Sequence, residues 1–404
     1  MTEKARLLNG WRARLIRKRI QLFLIGQAFR LYHSPFRAVS EMKKLRDLRN
    51  RVHGTNTVSK YIKSGGRYFW NSDYCGYPSD KLKSLVCNEF IRNNKTGTTQ
   101  TPILQTLIWG ITNRCPLSCL HCYEWDNISN TDKLDLDSLE KILAIFINSG
   151  LRHIQFSGGE PLARFNDLVV LIGKASASMD CWLLTSGFGL SPEKAFALKK
   201  AGLTGVNVSL DHWEPRLHNN FRNNENSFAM VIAAVQNCLR AGLMVSLSLC
   251  ATREFVTDEN LMKYAVLAKN TGAHFIRILE PRAAGKFTGK EVSLETHQVK
   301  TLTDFAIRMN SNPLYKDFPV VAFFGYHQRK LGCFGAGNRY VYVDPNGNLH
   351  ACPFCRGEVA NVLEVPFPVI IEKVKSIGCH QFGNTNETPR HFRSMSAGDI
   401  KSDA

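Results

Sequence analysis

Between residues 104 and 279, short β-branched and apolar runs alternate with stretches whose apolar positions recur at helical spacing. The strand-like runs fall at 104–111, 153–156, 181–185, 205–210, 245–249 and 274–279. The helical stretches fall at 136–149, 166–178, 192–201, 227–241 and 258–270. Strands that alternate with helices predict right-handed parallel βαβ units, and so an α/β fold. Six such units form either an open sheet or a partial barrel, and the pattern alone does not choose. Upstream, residues 3–31 read as an amphipathic basic helix, with Leu8, Trp11, Leu15, Leu22 and Phe23 near one face. A second helical stretch covers about 35–52. A Gly/aromatic patch at 65–70 and a polar linker at 93–99 follow, and the linker predicts a domain boundary. From about Pro313 the rhythm breaks. Tyr340–Val343 and Asn348–His350 flank Asp344-Pro345-Asn346-Gly347, a hairpin signal. The polar stretch 383–404 is expected to be disordered.

The N-terminal part is strongly basic. The 404-residue chain carries 52 Lys and Arg against 34 Asp and Glu, a net charge of +18. From Met1 to Trp70 there are 17 basic and 3 acidic residues, so most of the excess sits there. The longest uncharged run in that segment, Ile20 to Phe29, has ten residues. That is about half the length of a membrane-spanning helix. Arg30 follows it where a signal peptide would carry a small-residue cleavage site, so no signal is expected. Four roles suit the basic arm: packing on the barrel, lying on an anionic membrane surface, holding an acidic peptide or partner, and contacting nucleic acid. The sequence lacks an RNA-binding motif, which disfavours the last.

The chain has 12 cysteines. In an unexported chain of this length they point to metal or redox chemistry rather than a disulfide scaffold. Cys115-Pro-Leu-Ser-Cys119-Leu-His-Cys122 follows directly on the first strand of the repeating region. The loop after a parallel strand is where α/β folds place their sites. Structural zinc takes four ligands, usually in paired C-x2-C knuckles. An iron–sulfur cluster also takes four thiolates, so three leave one iron open to another ligand.

Cys115, Cys119 and Cys122, with Tyr123 after them, resemble the signature of the radical S-adenosylmethionine (SAM) superfamily. The resemblance implies a partial (β/α)6 barrel over roughly residues 104–310. It also implies a 4Fe-4S cluster on the three cysteines, with SAM on the fourth iron. Such enzymes cleave SAM reductively to a 5′-deoxyadenosyl radical, which abstracts a substrate hydrogen. Ser157-Gly158-Gly159-Glu160-Pro161 resembles the family's GGE motif, in which the backbone and Glu160 hold the SAM amino group. Thr185, Ser209 and Arg222 fall at positions similar to further SAM contacts, Arg222 reaching the SAM carboxylate. Glu280-Pro-Arg282-Ala-Ala-Gly285 is similar to a segment of members that carry a C-terminal cluster domain, with its order altered.

Cys333 and Cys352 enclose the spacing C-x13-G-x4-C around Gly347, and Cys355 completes a C-x2-C. This resembles the opening of a SPASM domain, the auxiliary-cluster module of peptide-modifying members. Only Cys379 remains downstream, so the resemblance is to the shortened, Twitch-like version with one auxiliary 4Fe-4S cluster on Cys333, Cys352, Cys355 and Cys379. A four-cysteine zinc site is the alternative. Cys75, Cys87, Cys181, Cys238 and Cys250 read as buried or incidental thiols.

The expected organisation is a basic, mainly helical extension at 1–100, the barrel at 101–312, a small cluster-binding domain at 313–382 and a tail at 383–404. The expected substrate is a peptide or protein, with a small molecule or membrane lipid as the alternative. A zinc-containing nucleic-acid-binding protein is the alternative of another class. The expected partners are a flavodoxin- or ferredoxin-like electron donor and an anionic membrane surface. The expected location is cytoplasmic, at the inner face of the membrane if the N-terminal helix binds lipid.

Overall fold

Parallel strands buried on both faces need both faces of their sheet covered, and the repeating region is built from such strands. The computed structural model describes residues 4–53, 58–93, 104–355, 357 and 359–379. Most of the polar linker and the 383–404 tail lie outside the described residues.

The N-terminal part contains β1 (Arg6–Leu8), α1 (Gly10–Tyr32), α2 (Pro35–His53), β2 (Tyr61–Ser64), β3 (Arg67–Phe69) and α3 (Asp80–Asn93). The repeating region follows as β4 (Thr106–Gly110), α4 (Leu136–Asn148), β5 (His153–Ser157), α5 (Phe165–Ser176), β6 (Asp180–Thr185), α6 (Pro192–Ala201) and β7 (Gly205–Ser209). It continues with α7 (Pro215–Arg222), α8 (Ser227–Arg240), β8 (Met244–Cys250), α9 (Asp258–Thr271), β9 (Phe275–Leu279) and α10 (Thr296–Ser311). The last part holds β10 (Val320–Phe323), α11 (Phe324–Leu331), β11 (Tyr340–Val343), β12 (Asn348–His350), β13 (Ala360–Asn361) and α12 (Phe367–Ile377).

All ten strands from β4 onward share one sheet, ordered β10-β9-β8-β7-β6-β5-β4-β11-β12-β13. Pairing is parallel from β10 through to β11 and antiparallel at β12 and β13. The six expected strands are its centre, each within about two residues of its predicted bounds. Their in-register neighbours, such as Trp109 opposite Phe156 and Phe156 opposite Leu183, form a core wholly removed from water. The helices around the sheet start where side chains cap them: Asp135 accepts from Ser138 N, Ser191 from Lys194 N and Thr257 from Asn260 N.

The structure departs from the sequence reading at the sheet's edges. β10 lies parallel to β9, and β11 lies parallel to β4, with Tyr342 opposite Ile108. The region after Pro313 therefore adds strands to both sides of the barrel sheet. β11 pairs with a strand more than 200 residues upstream, a relation local periodicity does not carry. At the N-terminus, Arg6–Leu8 is a strand, because it pairs antiparallel with Tyr61–Lys63; the helix begins only at Gly10.

The three-stranded sheet β1-β2-β3 closes the end of the barrel where its strands begin. Ile62 and Phe69 pack there with Trp182, Met244, Phe275 and Val320. Two polar ties fix it. Asp180, buried at the start of β6, receives Arg67 Nη1 at 2.6 Å and Lys81 Nζ at 3.2 Å. Lys60, also buried, donates to the carbonyls of Tyr315, Phe318 and Pro319.

Candidate metal and cofactor site

The opposite end of the sheet, where the strands finish, carries the first cysteine group. Asp132 shapes the loop after β4: it accepts from Thr112 Oγ1 and Asn113 N, each at 2.8 Å, and from Arg114 Nε at 2.9 Å. Cys119 is buried; Cys115 and Cys122 are half-buried. Burial pushes the Cys115 thiol up to about 12 and the Cys122 thiol up to about 11. Ligand thiols with such values deprotonate as metal binds.

The turn after β5 lies directly on this loop. Gly159 N donates to Thr112 O and Glu160 N to Arg114 O, both at 2.8 Å. A Cβ at Gly158, where φ is +135°, would stand 2.6 Å from Thr112 O, and one at Gly159 would stand 2.4 Å from Arg114 O. Only glycine permits this approach. The Glu160 carboxylate is buried and accepts four hydrogen bonds: from Leu162 N at 3.2 Å, Thr185 Oγ1 at 2.7 Å, Ser186 N at 2.8 Å and Ser186 Oγ at 2.5 Å. Burial pushes its pKa up, and these donors only partly oppose the shift. Glu160 thus ties the loop after β5 to the loop after β6.

Arg222 ends α7 and meets the cysteine loop from the other side. Its Nη1 donates to Cys119 Sγ at 3.6 Å, while Nε and Nη2 reach Asp211 Oδ2 at 2.6 and 2.5 Å. Asp211 also accepts from Cys250 N at 3.0 Å. Burial pushes the Asp211 carboxyl up, but the Arg222 guanidinium, the His121 and His218 rings and the Cys250 N–H together outweigh it and hold the group below its ordinary value. A buried cation aimed at a sulfur suits a thiolate ligand. His121, inside the loop, stacks on Phe221 with ring centroids 4.6 Å apart. Tyr123 Oη and Ser157 Oγ are hydrogen-bonded at 3.0 Å. Ser209 stands half-buried at the end of β7, opposite Ser248.

Sequence reasoning missed two parts of this site. Asp132 is one, since nothing local distinguishes it from other loop aspartates. The other is the clamp after β9. Lys286 N donates to Cys122 O at 3.0 Å, and Lys286 Nζ donates to Ser118 O at 2.8 Å, with the ammonium 3.6 Å from the Trp125 ring centroid. Gly285, at φ +56°, lies so close that a Cβ there would stand 2.1 Å from Cys122 O.

The four cysteines of the second group are brought together from three places. Cys333 follows α11, Cys352 and Cys355 form a tight knuckle after β12, and Cys379 follows α12. Cys333 and Cys379 are hydrogen-bonded, as are Cys355 and Cys379, and Cys352 and Cys355. Gly335 N donates to Cys333 Sγ at 3.3 Å and Cys355 N to Cys352 Sγ at 3.2 Å. Backbone donors at sulfur suit metal-bound thiolates. The thiols meet pairwise: among the described residues, no three His, Cys, Asp or Glu side chains surround a common ion position.

The family model of the radical SAM superfamily matches residues 109–268. The mycofactocin maturase MftC of Mycolicibacterium smegmatis is 28% identical over 267 residues, which cover 61% of this chain and 64% of that protein. The chain thus spans just under two thirds of that relative's length. The GTP 3′,8-cyclase of Desulforamulus reducens is 30% identical over 267 residues, covering 61% of this chain and 81% of that protein. Among solved structures, Streptococcus suis SuiB bound to its precursor peptide SuiA superposes with a TM-score of 0.55 at 13% identity. That match covers 83% of this chain and 77% of SuiB, and it speaks for the fold alone.

Proposed function

The chain belongs to the radical SAM superfamily, and from that premise we propose that it is an enzyme that abstracts hydrogen from a peptide or protein through a 5′-deoxyadenosyl radical. Cys115, Cys119 and Cys122 would hold a 4Fe-4S cluster with one iron left for SAM; together these groups supply one-electron chemistry when bound. Around them this chain's residues bind and orient. Arg222, fixed by Asp211, donates to the Cys119 sulfur. Gly158 and Gly159 bring backbone against the cysteine loop, and Glu160 and Thr185 lock that turn to the next loop. Tyr123 and Ser209 complete the proposed SAM surroundings.

The observation that carries this reading is the Gly158-Gly159 turn hydrogen-bonded onto the cysteine loop. A zinc knuckle needs four ligands and has no use for such a seam. Cys333, Cys352, Cys355 and Cys379 would hold one auxiliary 4Fe-4S cluster in the Twitch-like arrangement. Four thiolates leave it no open iron for SAM. A flavodoxin- or ferredoxin-like donor would supply the electron, and the basic arm would attach the enzyme peripherally at the inner face of a membrane.

A peptide substrate is supported by the maturase relative, and the peptide-bound neighbour is an instance of this fold engaging a peptide. The cyclase relative favours a small molecule as the second reading. The test is anaerobic incubation of the reconstituted enzyme with SAM, dithionite and a deuterated candidate peptide. Deuterium in the 5′-deoxyadenosine, with a mass change in the peptide, supports the proposal. Transfer from a small molecule in place of any peptide would establish the second reading.

A further inference from the structure

α1 packs against the molecule through one face, on which Ala13, Ile16, Gln27 and Ala28 are buried. At about 100° per residue, Trp11, Leu15, Leu22, Ile25 and Phe29 fall in a stripe about 80° wide on the other face, and the stripe runs for about 27 Å. All five are exposed, Trp11 by 65% and Leu22 by 68%. Arg12, Arg19 and Arg30 line one edge of the stripe and Arg14 the other, while Lys18 falls within it between Leu15 and Leu22; these five are exposed too. The start of α2 adds Phe36, 90% exposed, and Val39. From Lys4 to Ser40 the chain has nine Lys and Arg and no Asp or Glu.

Five large apolar side chains exposed on one helix face mark an interaction surface, and Lys18 among them can extend its ammonium past its own alkyl stem. Its charge specifies the partner. Nucleic acid would engage the cations but leave the apolar centre line in water. A lipid surface takes both, since an in-plane helix buries its apolar face at the acyl boundary while its cations meet anionic headgroups. The peripheral placement proposed above thereby gains a contact surface. Resting on that placement, we propose that the solvent face of α1 lies flat on an anionic bilayer, with the five apolar side chains inserted and the five cations at the headgroups. The β1-β2-β3 sheet that carries α1 covers the end where the barrel strands begin, whereas the cysteine loops lie at the end where they finish. The active-site end is therefore separated from the attached arm.

The test is co-sedimentation of the full chain with vesicles of phosphatidylcholine alone or mixed equally with phosphatidylglycerol. The wild type should bind the mixed vesicles and not the neutral ones, and about 0.5 M salt should weaken binding. The variant Trp11→Ser/Leu22→Ser/Phe29→Ser should lose about tenfold or more in affinity, because each exposed side chain adds apolar area to the contact. Arg12→Glu/Arg19→Glu should lose at least as much. Circular dichroism and 5′-deoxyadenosine formation should stay at wild-type values in both variants, which separates this surface from the catalytic reading. Equal binding by wild type and the apolar variant would overturn the inserted face while leaving an electrostatic placement standing. Failure of the wild type to bind either vesicle would remove the placement itself. Tighter binding to duplex RNA, undiminished in the apolar variant, would replace lipid with nucleic acid.

Discussion

The ring of Tyr123 meets the ring of Phe354 edge-on, with centroids 5.8 Å apart and planes at 70°. Tyr123 follows Cys122 directly, and Phe354 stands between Cys352 and Cys355. The two cysteine groups, more than 200 residues apart in sequence, are thus neighbours through one aromatic contact. Tyr342 of β11 braces it, its ring 6.3 Å from that of Tyr123 and its hydroxyl donating to Glu124. Aromatic pairs of this geometry couple by about 0.5–1.5 kcal/mol. A double-mutant cycle of Tyr123→Leu and Phe354→Leu, read by chemical unfolding, should return a coupling in that range. Strict additivity would mean the contact does not join the two groups in solution.

Gly285 should prove essential to the first cysteine group alone. A side chain there is strained by its φ of +56° and collides with Cys122 O; such strain costs about 1–3 kcal/mol. Gly285→Val should lower iron from about eight to about four per chain after reconstitution, if each group holds one four-iron cluster. Iron at the wild-type level would show that the clamp after β9 is dispensable.

Asp180 should govern acid stability. Burial pushes its carboxyl up, but Arg67 and Lys81 outweigh this and hold the native pKa below the ordinary value. Its contribution is therefore present above about pH 4, the unfolded value, and is lost as pH falls through the native value. Asp180→Asn should cost about 3 kcal/mol at neutral pH and unfold with a flatter pH dependence below about pH 4. Parallel acid profiles for the two proteins would contradict this assignment.

The six central strands, their order of appearance and the C-x3-C-x2-C loop were legible in the sequence because each is a local pattern. The hairpin around Gly347 was legible for the same reason, as its turn residues are adjacent. What joins these parts was not. The pairing of β11 with β4 and the salt bridge between Arg222 and Asp211 both depend on chain segments meeting in space. Glu160 shows the limit within a motif. Three of the carboxylate's four hydrogen bonds run to Thr185 and Ser186 and the fourth to Leu162 N in its own turn, partners that the motif itself does not name.

Those bonds sharpen the expected effect of changing it. Glu160→Ala removes the acceptor for Thr185 and Ser186, and bonds to a charged group contribute about 1.5–3 kcal/mol. SAM affinity measured by equilibrium dialysis should fall about 10- to 150-fold, with iron content unchanged. An unaltered dissociation constant would show that this tie does not shape the SAM surroundings.

The C-terminal thiols should bind metal independently of the first group. A variant with Cys115, Cys119 and Cys122 changed to Ala should retain about four Fe per chain, and its reduced electron-spin spectrum should not respond to SAM. Replacing Cys352 and Cys355 as well should remove that iron. Zinc in its place after anaerobic purification would make this group a structural knuckle.

Cys115, Cys119 and Cys122 are proposed to make this chain a SAM-cleaving enzyme. The most direct test is the yield of 5′-deoxyadenosine from anaerobically reconstituted protein given SAM and dithionite, compared between the wild type and the variant with all three cysteines changed to Ala. The wild type should yield 5′-deoxyadenosine and the variant none above background. Equal yields from the two proteins would contradict that role.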